Sequence, residues 1–331
     1  MRAAVLESFG TALQIRDLPD PSPTSGEVLV RIAASGVNPL DTKIRQGHAA
    51  HAGTVLPAVL GLDLAGTVTA VASDVTGFSV GDEVYGMTGG VGGHQGSLAE
   101  FASVDHRLLA PRPHTLSTHQ SAALPLVVIT AWEALVDRAR VHPGQSVLIH
   151  GGAGGIGHVA IQLALARGAE VYATGSPASQ DTIRNLGATP IDYSAESVAE
   201  YLETRTGGEG FDVVFDTVGG TTLDDSFTAV KHYTGHVVSA LGWGTHSLAP
   251  LSFRGASYSG VFALMPLLTG RAREHHGSIL RHATELADAG ALTPRLDPRT
   301  FDLETIAEAY DIVETGRNRG KIAITPTEGP A

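Results

Sequence analysis

Cysteine is absent from this 331-residue chain. That excludes disulfides, a thiolate nucleophile and any sulfur-ligated metal. Lysine is nearly absent too, at Lys43, Lys231 and Lys321 only, so arginine carries most of the positive charge. The 22 Lys and Arg stand against 34 Asp and Glu, for a net charge of −12. The basic residues do not cluster, which argues against nucleic acid or an anionic membrane as a partner. No apolar run is long enough to span a bilayer. The opening MRAAVLESFG lacks the apolar core of a secretory leader, so the cytoplasm is the expected compartment. The chain also has neither a G-x-S-x-G nucleophile elbow nor a Tyr-x-x-x-Lys pair.

With 43% hydrophobic and 17% charged residues, the chain can fold around large cores and is long enough for two domains. Residues 1–110 carry short β-type runs at 1–6, 13–18, 27–35, 65–71, 83–87 and 97–104, separated by Gly, Pro, Asp and Ser. Such spacing predicts a barrel-like β domain. A short helix is predicted from Pro39, with Asn38 as N-cap. The pattern changes near Thr118. An apolar helix at 126–138 precedes strands predicted at 147–149, 170–174, 189–192, 213–216, 236–240 and 258–261. Helical patterns alternate with them at 158–167, 179–186, 197–204 and 223–230. This alternation predicts a parallel sheet covered on both faces. A helix at 278–289 follows, then β character from Arg295 to a last strand at 321–325.

The stretch SVLIHGGAGGIG at 146–157 carries the most chemistry. Gly152, Gly154 and Gly157 stand at G-x-G-x-x-G spacing between a predicted strand and a predicted helix. The first glycine permits a sharp turn, the second a close approach of backbone to pyrophosphate, and the third tight helix–strand packing. The helix start then offers N–H groups and partial positive charge to phosphate. With Gly155 and Ile156 between them, these residues form the expected phosphate cradle of a dinucleotide site.

Seven blocks in order resemble the medium-chain dehydrogenase/reductase superfamily, and within it the zinc-independent quinone oxidoreductases. They are SGVNPLDTKIRQG (35–47), LPAVLGLDLAG (56–66), GFSVGDEV (77–84), TAWEAL (130–135), HGGAGGIG (150–157), DVVFDTVG (212–219) and RGKIA (319–323). The resemblance implies a Rossmann doubly wound parallel sheet inserted into a GroES-like β-barrel catalytic domain. The catalytic domain would span 1–124 and 263–331, and the cofactor domain 125–262. Zinc-dependent members of this superfamily carry cysteine where this chain has Asn38, and His-Glu where it has Leu62-Asp63. The region matching their four-cysteine lobe, about 86–96, is glycine-rich here. No metal site is therefore expected. The fifteen histidines are read as structural or surface residues.

The resemblance also places candidate residues. Asn38 and Asp41 would line the nicotinamide pocket, with Asn38 as carbonyl or oxyanion donor and His48 as a possible proton source. On the cofactor side it implicates Thr130, Val218, Leu241, Gly242, Phe262 and Lys321. Trp243 would cover the cleft mouth. Cofactor choice is read after the second α/β strand, where no Asp or Glu is present to take the ribose hydroxyls. Ser176 leaves room for a 2′-phosphate, and Tyr193 matches a family position that contacts it, so NADP(H) is expected over NAD(H). The expected activity is NADPH-dependent, zinc-independent hydride transfer to quinones or α,β-unsaturated carbonyls. Two alternatives stay open: an alcohol dehydrogenase or carbonyl reductase of the same superfamily with a non-standard metal site, and a nucleotide-binding protein with vestigial redox activity. A homodimer is expected, pairing through the predicted strand at 258–261, with a small carbonyl or quinone as the other partner.

Overall fold

The computed structural model describes residues 1–326. The chain first forms strands β1 (Arg2–Leu6), β2 (Gln14–Asp17) and β3 (Glu27–Val37), then helix α1 (Pro39–Arg45). Strands β4 (Ala58–Val59), β5 (Asp63–Val71), β6 (Glu83–Met87), β7 (Phe101–Asp105) and β8 (Leu109–Pro111) follow. Helices α2 (Thr118–Ala122) and α3 (Pro125–Trp132) come next, and Glu133–Arg138 continues α3 in wider, π-helical turns. The α/β segment contains β9 (Ser146–Ile149), α4 (Gly157–Ala166), β10 (Glu170–Gly175), α5 (Gln180–Asn185), β11 (Thr189–Asp192) and α6 (Val198–Thr206). It continues with β12 (Val213–Asp216), α7 (Thr221–Ala229), β13 (His236–Ser239), α8 (Ala249–Arg254) and β14 (Ser257–Gly260). The chain ends with α9 (Met265–Thr269), α10 (Arg273–Asp288), β15 (Phe301–Asp302), α11 (Ile306–Glu314) and β16 (Ile322–Thr325).

Two compact units result. One joins Met1–Leu126 to the segment from Leu264 onward, and the other is Val127–Ala263. The first holds a sheet in the order β15-β16-β3-β5-β6-β8, with β7 also pairing β3, and a three-stranded sheet β2-β1-β4. Along β3, Val28, Val30 and Ile32 alternate inward and meet Leu64, Val68, Val84, Ala102 and Val104. The period of two thus puts one face of each strand into a shared core. At the end of β3, Gly36 lies so close to the Ala122 carbonyl that any side chain would overlap it. That contact seats α2 across the strand just before Asn38.

The second unit is a six-stranded parallel sheet in the order β11-β10-β9-β12-β13-β14. Its central strands are buried along their whole length, as Val213–Asp216 shows, because helices cover both faces of such a sheet. Strand β14 lies at the edge of the sheet, with Tyr258 partly exposed.

The segment after Arg295 departs from expectation. Instead of continuous β character it forms only the two-residue β15 and then α11. Ile306, Ala309, Tyr310 and Ile312 are buried, a helical spacing that seats α11 against α1 and β15. Helix α10 also starts at Arg273, five residues before the predicted start, and the strand expected from 97 begins only at Phe101. The glycine-rich stretch 88–96 is a compact loop. Gly90 N–H donates to the His94 carbonyl (3.0 Å), Gly92 N–H donates to Ala52 (2.9 Å), and Arg273 donates to His94 Nε2 (3.1 Å).

Arg273 also donates to Asp105 (2.8 Å), whose carboxylate accepts from the Arg107 backbone and guanidinium as well. Burial pushes the Asp105 carboxyl up, but these donors outweigh it and hold it at about 2, below its ordinary 3.8. The stabilisation is complete above 3.8 and is lost as pH falls toward 2. Asp105→Asn is expected to flatten the acid limb of the unfolding midpoint across that window, read by circular dichroism.

Candidate active site

In the first unit, β3, α1, β5 and the residue preceding β16 bring four polar side chains into one buried cluster. The Lys321 ammonium donates to the Val37 carbonyl (3.0 Å) and to Asn38 Oδ1. Asn38 Nδ2 donates to Asp63 Oδ2 (2.9 Å), and Asp63 Oδ1 accepts from the Leu126 backbone N–H (3.0 Å). Asp41 accepts from the Asn38 backbone N–H (2.8 Å). Asn38 does start α1, with its backbone N–H held by Asp41, and its carboxamide is turned toward Asp63 and Lys321.

The orientation of this carboxamide is dictated by chemistry. An ammonium can only donate and a carboxylate can only accept, so Oδ1 must face Lys321 and Nδ2 must face Asp63. One Nδ2 hydrogen is used by Asp63, and the other has no acceptor among the described residues. Lys321 polarises the amide through Oδ1 and makes that remaining N–H a stronger donor. Burial pushes the Asp41 carboxyl up to about 8 despite the Asn38 N–H, with the Asp63 charge adding to the shift. Burial also raises Asp63, to about 6, against the pull of Lys321 and Asn38. It lowers Lys321, against the two aspartates.

In the second unit the candidate cofactor residues follow the C-terminal ends of successive parallel strands. After β9 come His150 and the turn Gly151–Ile156, leading into α4. A side chain at Gly157 would overlap the Gly151 carbonyl, and one at Gly152 would press on Ala173 and Ile161. Gly154 and Gly155 are exposed, and the first turn of α4 has no side-chain cap. The turn therefore presents bare backbone at a helix start, as a pyrophosphate requires. The strand order reverses direction at β9, between β10 and β12, which is where open α/β sheets bind nucleotides.

After β10, Ser176 begins a 3-10 turn (Pro177–Ser179), with Gln180 Nε2 donating to the Gly175 and Ser176 carbonyls (3.0 and 3.1 Å). Tyr193, 63% exposed after β11, donates its backbone N–H to Gly175 (3.4 Å), so it stands beside Ser176. Arg184 is paired with Asp181.

After β12 and β13, two loops are fastened together by Asp216. Its Oδ1 accepts from Val218 and Gly219 (3.0 and 2.9 Å) and its Oδ2 from Ser239 Oγ (2.7 Å), which in turn accepts from Leu241 N–H (3.0 Å). Val218 is thereby held half exposed beside the Leu241–Gly242 turn. Trp243 lies edge-on to Phe262, with ring centroids 6.1 Å apart. Thr130 is buried on α3.

The structure thus brings Asn38, Asp41 and Lys321 together in one unit. It sets Gly152, Gly154, Gly155, Ile156, Gly157, Ser176, Tyr193, Val218, Leu241, Gly242 and Phe262 along one rim of the other. Lys321, expected on the cofactor side, has its ammonium on Asn38. His48 is not brought to this cluster. It is exposed just past the C-terminal end of α1, whereas Asn38 precedes the N-terminal end. Asp63 and Asp216 are the side chains of these two arrangements that the sequence reading did not single out. Asp63 had a signal in its place opposite the superfamily's His-Glu pair. Asp216 had only its position at the end of a buried strand.

Residues 24–114 match the alcohol dehydrogenase GroES-like domain family, and residues 186–324 match the zinc-binding dehydrogenase family. A 2-methylene-furan-3-one reductase of Solanum lycopersicum is 34% identical over 92% of this chain and 73% of that protein. A chloroplastic NADPH-dependent alkenal/one oxidoreductase of Arabidopsis thaliana is 33% identical over 92% of the chain and 74% of that protein. The crystal structure of an alcohol dehydrogenase superfamily protein from Novosphingobium aromaticivorans superposes with a TM-score of 0.97. It shares 57% identity and covers 99% of this chain and 100% of that one. The chain belongs to the medium-chain dehydrogenase/reductase superfamily, in its quinone-oxidoreductase-like branch, and is an oxidoreductase that uses a nicotinamide cofactor.

Lys321→Met is expected to destabilise the protein by about 3–5 kcal/mol, because it strands the Asp63 carboxylate without its cation. Adding Asp63→Asn should recover part of that loss, and urea unfolding of the two variants measures both.

Proposed function

We propose that this protein reduces α,β-unsaturated carbonyls or quinones with NADPH and without zinc. The observation that carries the reading is the Lys321–Asn38–Asp63 chain, which leaves one polarised amide N–H to offer. When bound, NADPH supplies the hydride. Reduction of an enone or quinone spreads negative charge over an enolate or phenolate oxygen. Such a delocalised anion needs only directed donors, and the Asn38 Nδ2–H with the Lys321 charge behind it provides one. Holding acceptor and donor in register supplies the rest.

The donor set does not suit zinc at this place. Asn38 Oδ1 already accepts from an ammonium, and Leu62 has no donor atom. Among the described residues no group of three His, Cys, Asp or Glu is placed for a metal. Preference for NADPH is supported by the lack of a carboxylate after β10 and by the neutral, hydrogen-bonded turn at Ser176 beside Tyr193. The relatives acting on an enone and on alkenals and enones support the substrate class. A homodimer is supported by the edge position of β14.

Asn38→Ala is expected to lower kcat with an enone or quinone by about a hundredfold, while NADPH affinity measured by fluorescence changes little. Unchanged turnover removes Asn38 from the mechanism. Ser176→Asp is expected to weaken NADPH relative to NADH by about tenfold or more through repulsion of the 2′-phosphate, read as the ratio of the two dissociation constants. The substrate class itself is tested by nicotinamide oxidation against quinones, enones, aldehydes and ketones, with and without chelator.

A further inference from the structure

Helices α1 and α11 face each other through two matched pairs. Asp41 and Arg45 are four residues apart on α1, and Tyr310 and Glu314 are four apart on α11, so each pair lines one helix face. Arg45 donates to Glu314 (2.6 Å), and its guanidinium lies 6.0 Å from the Tyr310 ring centroid. Three buried polar atoms of this set have no hydrogen-bond partner among the described residues: Asp41 Oδ1, Arg45 Nε and Tyr310 OH. The Asp41 and Arg45 charges both act on the Tyr310 hydroxyl, and orphaned groups on facing helices are what a buried water satisfies, since each such water makes two to four hydrogen bonds. The outer pair reaches solvent, with the Arg45 and Glu314 side chains each about a fifth to a quarter exposed, whereas Asp41 and Tyr310 are enclosed.

We propose that α1 and α11 enclose a hydration site, bounded by Asp41 Oδ1, Tyr310 OH and Arg45 Nε, through which the buried Asp41 carboxyl exchanges its proton with solvent past the Arg45–Glu314 pair. Water accepts from Arg45 Nε and from the protonated Asp41 carboxyl, and donates to the Tyr310 oxygen, which holds it in place. As the Asp41 O–H bond breaks and one forms to this water, the water's other hydrogen leaves for bulk water past the Arg45–Glu314 pair. A proton returning by the reverse route restores the acid. Tyr310 orients the water and does not ionise. Burial holds the Tyr310 hydroxyl well above its ordinary value. Burial likewise keeps Asp41 in its acid form, with Asp63 on β5 opposing ionisation and Lys321, the Asn38 amide and the Leu62 amide favouring it.

The site has a consequence that rests on the proposed reduction. That reaction consumes one proton for each hydride, and Asp41, beside Asn38 and renewed from outside, is the store that replaces it.

The test begins with ligand-free protein. Infrared difference spectra between wild type and Asp41→Asn should show a protonated carboxyl band at neutral pH. Mixing with D2O should shift that band in a fast phase, and Tyr310→Phe should lose the fast phase. Absence of the band, or wild-type exchange in Tyr310→Phe, overturns the proposal. Should Tyr310→Phe fail to fold, a high-resolution crystal structure of the wild type decides. A water within hydrogen-bond distance of Asp41 Oδ1, Tyr310 OH and Arg45 Nε supports the route, and its absence overturns it. In turnover with an enone in D2O, Tyr310→Phe should show a larger solvent isotope effect than wild type, with the isotope effect of deuterated NADPH unchanged. Failure of every enone and quinone to react overturns the reduction and the proton store, while the infrared arm still decides the exchange route.

Discussion

The structure around the candidate active site depends on one ammonium group held inside the protein. Lys321 donates to the Val37 carbonyl and to Asn38 Oδ1, and both lie where β3 gives way to α1. Its backbone is clamped in turn, the N–H donating to Arg295 (2.7 Å) and the carbonyl accepting from Asp297 (2.8 Å). A buried cation is tolerated only where its charge is answered. Asp63 answers it across the carboxamide, so three segments distant in sequence are bound by one line of donors and acceptors. The same line decides which way the Asn38 carboxamide faces.

The cofactor side is organised differently. The turn Gly151–Ile156 carries no charged side chain of its own, and the candidate phosphate cradle consists of backbone. Precision comes from the sheet, whose parallel strands end at one rim, and from Asp216, which joins the loops after β12 and β13. Burying that carboxylate is offset by two backbone N–H donors and one hydroxyl. His150, at the end of β9, is kept neutral by burial, which lowers its pKa to about 4. His150 thus adds no charge to this part of the rim, and the Asp216 carboxylate spends its acceptor sites on its own loops.

Much of this was legible in the sequence. Apolar runs bounded by glycine and aspartate marked the parallel strands to within a residue or two, because strands buried on both faces leave a dense signal. The G-x-G-x-x-G spacing marked the nucleotide turn, and the NPLD motif marked α1. What escaped was set by tertiary contact. Helix α11 does carry apolar residues at helical spacing, Ile306, Ala309 and Tyr310, but over little more than two turns and between turn-rich segments, so the signal is short. Asp63 reads as an ordinary strand residue until Asn38 and Lys321 are brought to it. Lys321 carries a motif that signals importance but not direction, and only the fold shows its ammonium on Asn38.

The return of the chain to its first unit also dictates an order of assembly. Strand β16 is the partner of β3 on the side that carries Ser35–Val37, and it follows the whole six-stranded sheet in the chain. During vectorial synthesis, β3 therefore waits with that edge bare and Asn38 without its cation until β16 has left the ribosome. The six-stranded sheet, continuous in sequence, has no such wait. Domains complete in one stretch of chain fold as they emerge, so the second unit matures first and the first is closed only when its returning segment arrives.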